Sequence, residues 1–227
     1  PGEIVTFDKT GNLKSEFMPV DVKKAHCIFE YIYFARLDSK IDNISVYEAR
    51  IRGGATLAKT YPVDADLVCG VPDSGLASAK GYSEESGIPF GLAFHKNSYV
   101  GRTFIKPTQK ERESSVKIKL SVLESVVKGK RIVLVDDSIV RGTTISNLIT
   151  MLRKAGATEV HVRISSPPFL YPCYFGTDVP SNKQLIASSH STEEIRQQIG
   201  ADSLGYMPIE ELQNMVGDLP ICRACFD

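Results

Sequence analysis

The chain has 227 residues, in which 27 lysines and arginines balance 27 aspartates and glutamates. This length is enough for one large domain with a buried core, and a net charge of zero gives no indication of a nucleic-acid or anionic-membrane partner. No apolar run approaches the roughly 20 residues of a membrane-spanning helix and the N-terminus lacks a signal-peptide pattern, so we expect a soluble, cytoplasmic protein.

The first βαβ unit is predicted in the N-terminal half. Residues 27–36 (CIFEYIYFAR) are rich in aromatic and β-branched side chains, which favour a strand. Residues 46–62 have a helical pattern that stops at Pro62. The sequence then predicts, in order, a strand, a turn, a helix and a second strand, over residues 65–72, 73–75, 76–87 and 88–94.

A second unit of the same kind begins at residue 131. RIVLVDD predicts a strand over 131–137, and apolar residues at helical spacing from Ile145 to Leu152 predict a helix that Gly156 closes. Residues 159–168 supply another strand. Continuous apolar strands that alternate with helices favour a mostly parallel, doubly wound α/β sheet, whose ligands lie at the carboxyl ends of the strands.

Two regions lie outside these units. Residues 95–120 form a long, polar and basic segment without core periodicity, which predicts either disorder or a functional lid. Residues 191–217 predict two short helices separated by a strand. We therefore expect a core over about 46–170 and a smaller C-terminal subdomain over 171–227.

The loop after the strand at 131–137 has the features of a phosphate site. Small residues let backbone N–H groups approach a ligand, Thr143 and Thr144 can donate hydroxyls, and the next helix directs its positive end to the same point. The spacing matches neither a Walker motif nor the dinucleotide fingerprint. Asp136 and Asp137 precede this loop, where they can bind sugar hydroxyls or a hydrated Mg²⁺. The pattern favours a phosphorylated sugar, and a solvated turn is the alternative.

These residues also resemble a known family. VLVDDSIVRGTT is similar to the phosphoribosyl pyrophosphate (PRPP) motif of type I phosphoribosyltransferases, in the version of the glutamine PRPP amidotransferases. GVPDSG resembles that family's pyrophosphate loop, HKNSYVGRTFI its flexible catalytic loop, and EYIYFAR the sheet before its transferase core. The resemblance covers essentially the whole chain, and it implies a type I phosphoribosyltransferase domain over 1–227.

The resemblance implies a role for each matching residue. Ser74, Asp136 and Asp137 would bind Mg²⁺, and the aspartates would lie near the ribose hydroxyls. The residues implied in catalysis are Lys96, Tyr99, Arg102, Asp136 and Asp137. The residues implied in binding PRPP are Pro72, Asp73, Ser74, Gly75, Thr103, Lys106, Ser138, Ile139, Val140, Arg141, Gly142, Thr143 and Thr144.

The implied reaction is the transfer of ammonia to C1 of PRPP, which gives 5-phosphoribosylamine and pyrophosphate in the first step of purine synthesis. In the family, an N-terminal glutaminase domain supplies the ammonia; we expect this chain to lack that domain, with residues 1–20 as its tail. The family also implies purine nucleotide inhibitors and a homo-oligomer. Two alternatives remain: a salvage phosphoribosyltransferase that attaches a purine or pyrimidine base, and a non-catalytic PRPP-sensing regulator with a basic DNA-binding element.

Five cysteines suit reduced thiols or metal ligation better than a disulfide framework. Cys222 and Cys225 form a CxxC pair, which alone suits either a redox pair or half of a zinc site. With Cys27 and Cys173 they can complete a four-cysteine site for zinc or an iron–sulfur cluster. Some members of the resembled family hold a [4Fe–4S] cluster with cysteines at these four positions, so the resemblance implies such a cluster here. Cys69 lies in a predicted buried strand and is interpreted as a core residue.

Overall fold

The computed structural model describes residues 2–19, 24–97, 120–176, 181 and 184–227. Its strands are β1 (Glu3–Phe7), β2 (Leu13–Phe17), β3 (His26–Cys27), β4 (Lys40–Ile41), β5 (Ile44–Ser45), β6 (Leu67–Gly70), β7 (Phe94–Lys96), β8 (Leu120–Val122), β9 (Arg131–Asp136), β10 (Glu159–Ile164), β11 (Ser203–Tyr206) and β12 (Ile221–Cys222). Its α-helices are α1 (Val46–Thr60), α2 (Gly75–Ser86), α3 (Glu124–Val127), α4 (Thr143–Lys154), α5 (Thr192–Ile199) and α6 (Gln213–Val216). Short helical turns cover Glu30–Phe34, Ile186–Ser188 and Ile209–Leu212.

The main sheet has four parallel strands in the order β11–β10–β9–β6. Leu134 in β9 lies opposite Val162 in β10 on one side and Cys69 in β6 on the other. All three residues are completely buried, because helices cover both faces of the sheet. The predicted α/β architecture with a mostly parallel sheet is confirmed.

The two faces of the sheet form two apolar clusters. On one face, Leu148 and Leu152 of α4 pack with residues such as Ile195 of α5. On the other face, Leu57 of α1 and Tyr82 of α2 belong to the second cluster. Each large side chain that is fully buried contributes roughly 1.5–3 kcal/mol to folding, so this packing holds the strand ends, and the loops they carry, in fixed positions.

Helix ends follow the local sequence. The Ser45 hydroxyl accepts a hydrogen bond of 3.3 Å from the backbone N–H of Glu48 and caps α1, as N-cap serines commonly do. Ser191 and Glu194 form a capping box at the start of α5, and Gly200 ends this helix at a φ of 79°. These elements, together with the strand β11 that follows, confirm the predicted helix–strand pattern of residues 191–217.

The strand predicted over residues 27–36 is wrong for most of its length. Only Cys27 is part of a strand, in β3, and residues Glu30–Phe34 form a helical turn in which Tyr31 and Ile32 are buried. The Arg50 guanidinium, on α1, donates hydrogen bonds to carbonyls in this region. Because this distant side chain stabilises the turn, tertiary packing overrides the strand propensity of the aromatic residues.

Two other predictions differ in detail from the structure. Of the strand predicted over 88–94, only Phe94 lies in a strand, and Phe90 makes an isolated bridge to Val68. The subdomain proposed over 171–227 stays a prediction as a division of the chain, but its strand β11 pairs with β10 and extends the main sheet. The order of strands depends on long-range packing, which local pattern does not encode.

The hairpin formed by β1 and β2 is exposed along both strands. Val5, Phe7, Leu13 and Phe17 share one of its faces and are 45–71% exposed. A two-stranded hairpin with an exposed apolar face is only marginally stable in water. These apolar side chains are therefore available for contact with another structural element. No helix in the described part of the chain is long and apolar enough to cross a membrane.

Helices α1 and α2 pack backbone to backbone through two glycines. A Cβ atom on Gly81 would lie 2.0 Å from the Ile51 carbonyl oxygen, and one on Gly54 would lie 1.8 Å from that of Ser78. We expect Gly81→Ala to lower the free energy of unfolding by about 3 kcal/mol, because the helices must separate to admit the methyl group. Urea denaturation measures this change. Glu84→Ala on the exposed surface of α2 is the control, with an expected change within about 0.5 kcal/mol, and equal effects of the two variants would contradict the packing argument.

Candidate functional site

Two polar turns meet at the carboxyl edge of the main sheet. Asp136 ends β9, and Ser74 lies in the turn between β6 and α2. The Ser74 hydroxyl donates a 2.5 Å hydrogen bond to a carboxylate oxygen of Asp137, and the Ser138 hydroxyl donates one of 2.5 Å to the other oxygen. The parallel arrangement of β6 and β9 brings these turns together, as the sequence predicted from the ends of parallel strands.

Asp136 and Asp137 are adjacent buried carboxyl groups, only 8% and 9% exposed. Burial raises the pKa of Asp136 well above its usual range, and the neighbouring Asp137 raises it further. Burial also raises the pKa of Asp137, while hydrogen bonds from Ser138 and Ser74 and the positive charge of Arg50 act in the opposite direction. Two buried carboxylates are costly to ionise together, so this pair is suited to bind a cation or hydroxyl donors.

The loop over residues 138–144 connects β9 to α4 at the same edge. Gly142 has a φ of 78°, a conformation that favours glycine, and the twelve-residue helix α4 begins directly after it at Thr143. Two contacts fix the loop to the core: the side chain of Ile139 is buried, and the carbonyl of Val140 accepts a 2.9 Å hydrogen bond from the N–H of Ile186. The exposed amides at the start of α4 can bind a phosphate.

The loop over residues 72–75 packs against the end of β9, next to the aspartate pair. Gly75 approaches β9 so closely that a Cβ atom there would lie 2.5 Å from the Val135 carbonyl oxygen. Only glycine fits this contact, which holds the start of α2 against the end of β9. The Asp73 carboxylate, by contrast, points outward and forms an ion pair with the Lys96 ammonium at the end of β7.

The other predicted site residues have different outcomes. The structure places Pro72, Asp73, Ser74, Gly75, Lys96, Asp136, Asp137 and all of Ser138, Ile139, Val140, Arg141, Gly142, Thr143 and Thr144 at this edge of the sheet. Tyr99, Arg102, Thr103 and Lys106 lie outside the described residues. The described part of the site is therefore made of two strand-to-helix loops and one residue of β7.

Sequence reasoning missed two residues that support the site. Arg50 is 3% exposed and donates hydrogen bonds of 2.8, 3.0 and 2.9 Å to the carbonyls of Tyr31, Tyr33 and Ala35. Gln184 accepts a hydrogen bond from the Arg141 guanidinium. An arginine on the apolar side of a helix was a possible signal for Arg50, whereas nothing in the sequence near Gln184 indicates its contact.

Cysteines from both ends of the chain come near one another where the two ends pair. Cys27 lies opposite Cys222 where β3 pairs with β12. The Cys225 carbonyl accepts hydrogen bonds of 3.0 and 3.2 Å from the N–H groups of Leu170 and Tyr171, which lead to Cys173. Burial, followed by the charges of Cys27, Cys173 and Cys222, raises the pKa of the Cys225 thiol to about 12. Cys225 is therefore close enough to the other three predicted ligands for their charges to act on its thiol.

Two further observations bear on the cysteines. Cys69 lies in β6 and belongs to the apolar cluster that contains Leu148 and Leu152. Burial alone raises the pKa of its thiol to about 12. Within the described ranges, no group of three or more histidine, cysteine, aspartate or glutamate side chains converges as the ligands of one metal ion.

Comparisons with known proteins agree with this geometry. Residues 42–165 match the model of the phosphoribosyl transferase domain family. The chain is 52% identical to the amidophosphoribosyltransferase of Bacillus subtilis, with 100% of the chain and 48% of that protein covered. It is also 52% identical to the amidophosphoribosyltransferase of Methanocaldococcus jannaschii, with 99% and 51% covered. The chain spans about half the length of these relatives.

Solved structures give the same result. The structure of glutamine PRPP amidotransferase from B. subtilis in complex with ADP and GMP matches with a TM-score of 0.87 and 51% identity, over 100% of this chain and 51% of that one. A structure described as the allosteric regulatory enzyme of purine biosynthesis matches with a TM-score of 0.88 and 51% identity, over 100% and 50%. The likeness extends over the whole chain, beyond the residues that match the family model.

Proposed function

The chain belongs to the phosphoribosyl transferase domain family and has the type I phosphoribosyltransferase fold, and we propose that it transfers ammonia to C1 of PRPP, giving 5-phosphoribosylamine and pyrophosphate. This is the first step of de novo purine biosynthesis. The observation that carries the proposal is the hydrogen bond from Ser74 to Asp137, which joins the loop over 72–75 to the aspartate pair beside the phosphate loop. The three parts of PRPP, its diphosphate, ribose and 5-phosphate, then have adjacent binding groups.

Each part of PRPP has a proposed set of contacts. The loop over 138–144 and the first turn of α4 bind the 5-phosphate through backbone N–H groups and the hydroxyls of Thr143 and Thr144. Asp136 and Asp137 bind the ribose hydroxyls. The loop over 72–75 binds the diphosphate, with Lys96 beside it. The sequence resemblance extends the proposed contacts to the residues beyond the described ranges, Tyr99, Arg102, Thr103 and Lys106.

The oxygen atoms at the aspartate pair fit a magnesium ion. Ser74 and Asp137 present oxygen atoms 2.5 Å apart, and the adjoining Asp136 carboxyl group is buried with the Asp137 N–H as a hydrogen-bond donor at 2.9 Å. Oxygen donors of this kind are what Mg²⁺ prefers. We propose these three residues as its ligands, where the bound ion would neutralise charge on the leaving diphosphate.

The protein's own part in the reaction is to position the reactants. Ammonia is itself the nucleophile, so the chain needs no nucleophilic side chain. Rigid loops at the sheet edge hold the ribose and its diphosphate in place, and positioned charges stabilise the diphosphate as the C1–O bond breaks. A site of this kind accelerates the reaction through orientation, electrostatics and exclusion of water.

We propose that a glutaminase domain supplies the ammonia in the complete protein. The relatives are about twice as long as this chain, and the open apolar face of the hairpin β1–β2 offers a contact surface for such a domain. The solved relative is a complex with ADP and GMP, and we propose that purine nucleotides also bind this chain, as inhibitors. From the resemblance of the sequence, we also propose that the complete protein is a homo-oligomer and lies in the cytoplasm.

We also propose that Cys27, Cys173, Cys222 and Cys225 bind a [4Fe–4S] cluster. Cys222 lies opposite Cys27 where β3 pairs with β12, and the charges of the other three cysteines act on the Cys225 thiol, so four thiolate ligands are available near one another. Such a set suits either zinc or an iron–sulfur cluster, and the resemblance of the sequence favours the cluster. The cluster would connect the C-terminal segment to β3, away from the aspartate pair.

A pyrophosphate-release assay tests the proposed reaction. With PRPP and Mg²⁺, we expect this chain to release pyrophosphate with ammonia, and not with glutamine, because none of its residues is assigned to glutamine hydrolysis. Adenine, guanine, hypoxanthine and orotate serve as controls for a salvage transferase. Release with a free base alone would contradict the proposed acceptor, and glutamine-dependent release by this chain would contradict the division of labour between domains.

A further inference from the structure

The ion pair between Asp73 and Lys96 lies at the place proposed for the diphosphate. Asp73 belongs to the loop over 72–75, and its side chain is 71% exposed. Lys96 ends β7 and is 34% exposed. The buried side chains of Phe94, in β7, and of Ala93, just before it, fix this strand in the core. The backbone of Lys96 is therefore held in place beside the loop. The contact therefore joins two elements that both face the proposed ligand.

The sign of the charge on Asp73 is unexpected for this loop. A diphosphate carries several negative charges, and an aspartate in its binding loop repels it. Among the described residues, Lys96 is the cation in ion-pair contact with Asp73. As long as this ion pair is intact, Lys96 neutralises the charge of Asp73, and its ammonium group is not available to a diphosphate.

We propose that the Asp73 carboxylate is a placeholder for the diphosphate, and that Lys96 exchanges Asp73 for the diphosphate when PRPP binds. This inference rests on the proposed function. Asp73 loses little in the exchange, because its exposed carboxylate returns to water. The exchange breaks one ion pair and forms another, with no covalent step. In the absence of ligand, the Asp73–Lys96 pair keeps the lysine aligned with the loop.

The relative strengths of the two contacts make the exchange favourable. An ion pair as exposed as this one changes an equilibrium by less than about fivefold. A lysine that donates to a phosphate group forms a charge-assisted hydrogen bond, which is worth about tenfold or more. The pair is strong enough to orient Lys96 and weak enough for the ligand to displace Asp73.

A double-mutant cycle tests the exchange, with magnesium pyrophosphate as the probe and calorimetry at constant ionic strength as the measurement. Asp73→Asn should tighten binding by about two- to fivefold, because Lys96 is released in advance. Lys96→Met should weaken binding by about tenfold. In the Lys96→Met background, Asp73→Asn should have almost no effect. Glu84→Gln, which breaks the exposed Lys80–Glu84 pair on α2, is the control and should leave the affinity unchanged.

The outcomes separate this inference from the proposed function. Failure of the unchanged chain to bind magnesium pyrophosphate would overturn the diphosphate site and the exchange with it. If the unchanged chain binds, weaker or equal binding by Asp73→Asn overturns the exchange alone. Equal tightening with and without Lys96 also overturns it, since Asp73 would then act by simple repulsion.

Discussion

Replacement of Asp136 or Asp137 by asparagine is expected to lower kcat/KM for ammonia-dependent transfer by about 30- to 1,000-fold. Each substitution removes a positioned negative charge from the proposed ribose and magnesium site, and loss of such a contact costs about 2–4 kcal/mol of transition-state stabilisation. At Asp137, asparagine also has one acceptor oxygen where the carboxylate accepts from both Ser74 and Ser138. We therefore expect Asp137→Asn to weaken the junction between the two loops as well.

The same substitutions should leave the fold intact. Burial raises the pKa of both carboxyl groups, which means that their ionised forms are unfavourable in the folded state. At Asp136, a neutral amide of the same shape removes this cost, so the free energy of unfolding at pH 7 should stay equal or rise. At Asp137, the same gain is offset by the hydrogen bond that asparagine cannot accept, so the net change should be small. Steady-state kinetics and urea denaturation measure the two effects separately.

Asp66 provides the matched control for the aspartate pair. It lies at the opposite edge of the sheet, where its carboxylate accepts hydrogen bonds from Arg131 that lower its pKa to about 2. Asp66→Asn should keep kcat/KM within about twofold, because this end of the sheet carries no proposed ligand contact. Wild-type rates in both Asp136→Asn and Asp137→Asn, or an equal loss in Asp66→Asn, would refute the site.

The parts of the site that were predicted from the sequence depend on local pattern and one general rule. The apolar run before Asp136 and Asp137 specifies a buried parallel strand, and the small polar residues after it specify a loop. The carboxyl ends of parallel strands meet at one edge, so the turn that contains Ser74 could be assigned to the same edge as the aspartates, and the family resemblance placed Ser74 beside them. The 2.5 Å hydrogen bond between Ser74 and Asp137 agrees with that rule.

The parts that were not predicted depend on contacts between distant residues. The aromatic segment that includes Tyr31 folds as a helical turn because the Arg50 guanidinium, on a later helix, donates to its carbonyls. The Asp73–Lys96 ion pair and the Arg141–Gln184 hydrogen bond likewise join different elements. Such contacts follow from the packed arrangement of the elements, and no local periodicity encodes them.

Substitution of a proposed cluster ligand is expected to have the largest effect on metal content and on stability. Anaerobically purified protein should be brown and contain iron and sulfide, and Cys222→Ala should abolish both. The chain offers an internal control, because Cys69 is completely buried in β6 and belongs to a different cluster of the core. Cys69→Ala should keep its iron, with a loss of about 1 kcal/mol in stability from the small cavity.

Loss of the cluster should destabilise the fold before it affects transfer. The strand pairing that joins Cys222 to Cys27 is two residues long, in β3 and β12, so the cluster would add bonds that close long loops between cysteines distant in the sequence. Binding energy at such a site becomes folding energy, and Cys222→Ala should unfold at a markedly lower temperature while its kcat at low temperature stays close to that of the unchanged chain. Metal analysis and thermal unfolding under argon check both points. Stoichiometric zinc without iron would reject the cluster, and loss of metal in Cys69→Ala alone would reject the four ligands.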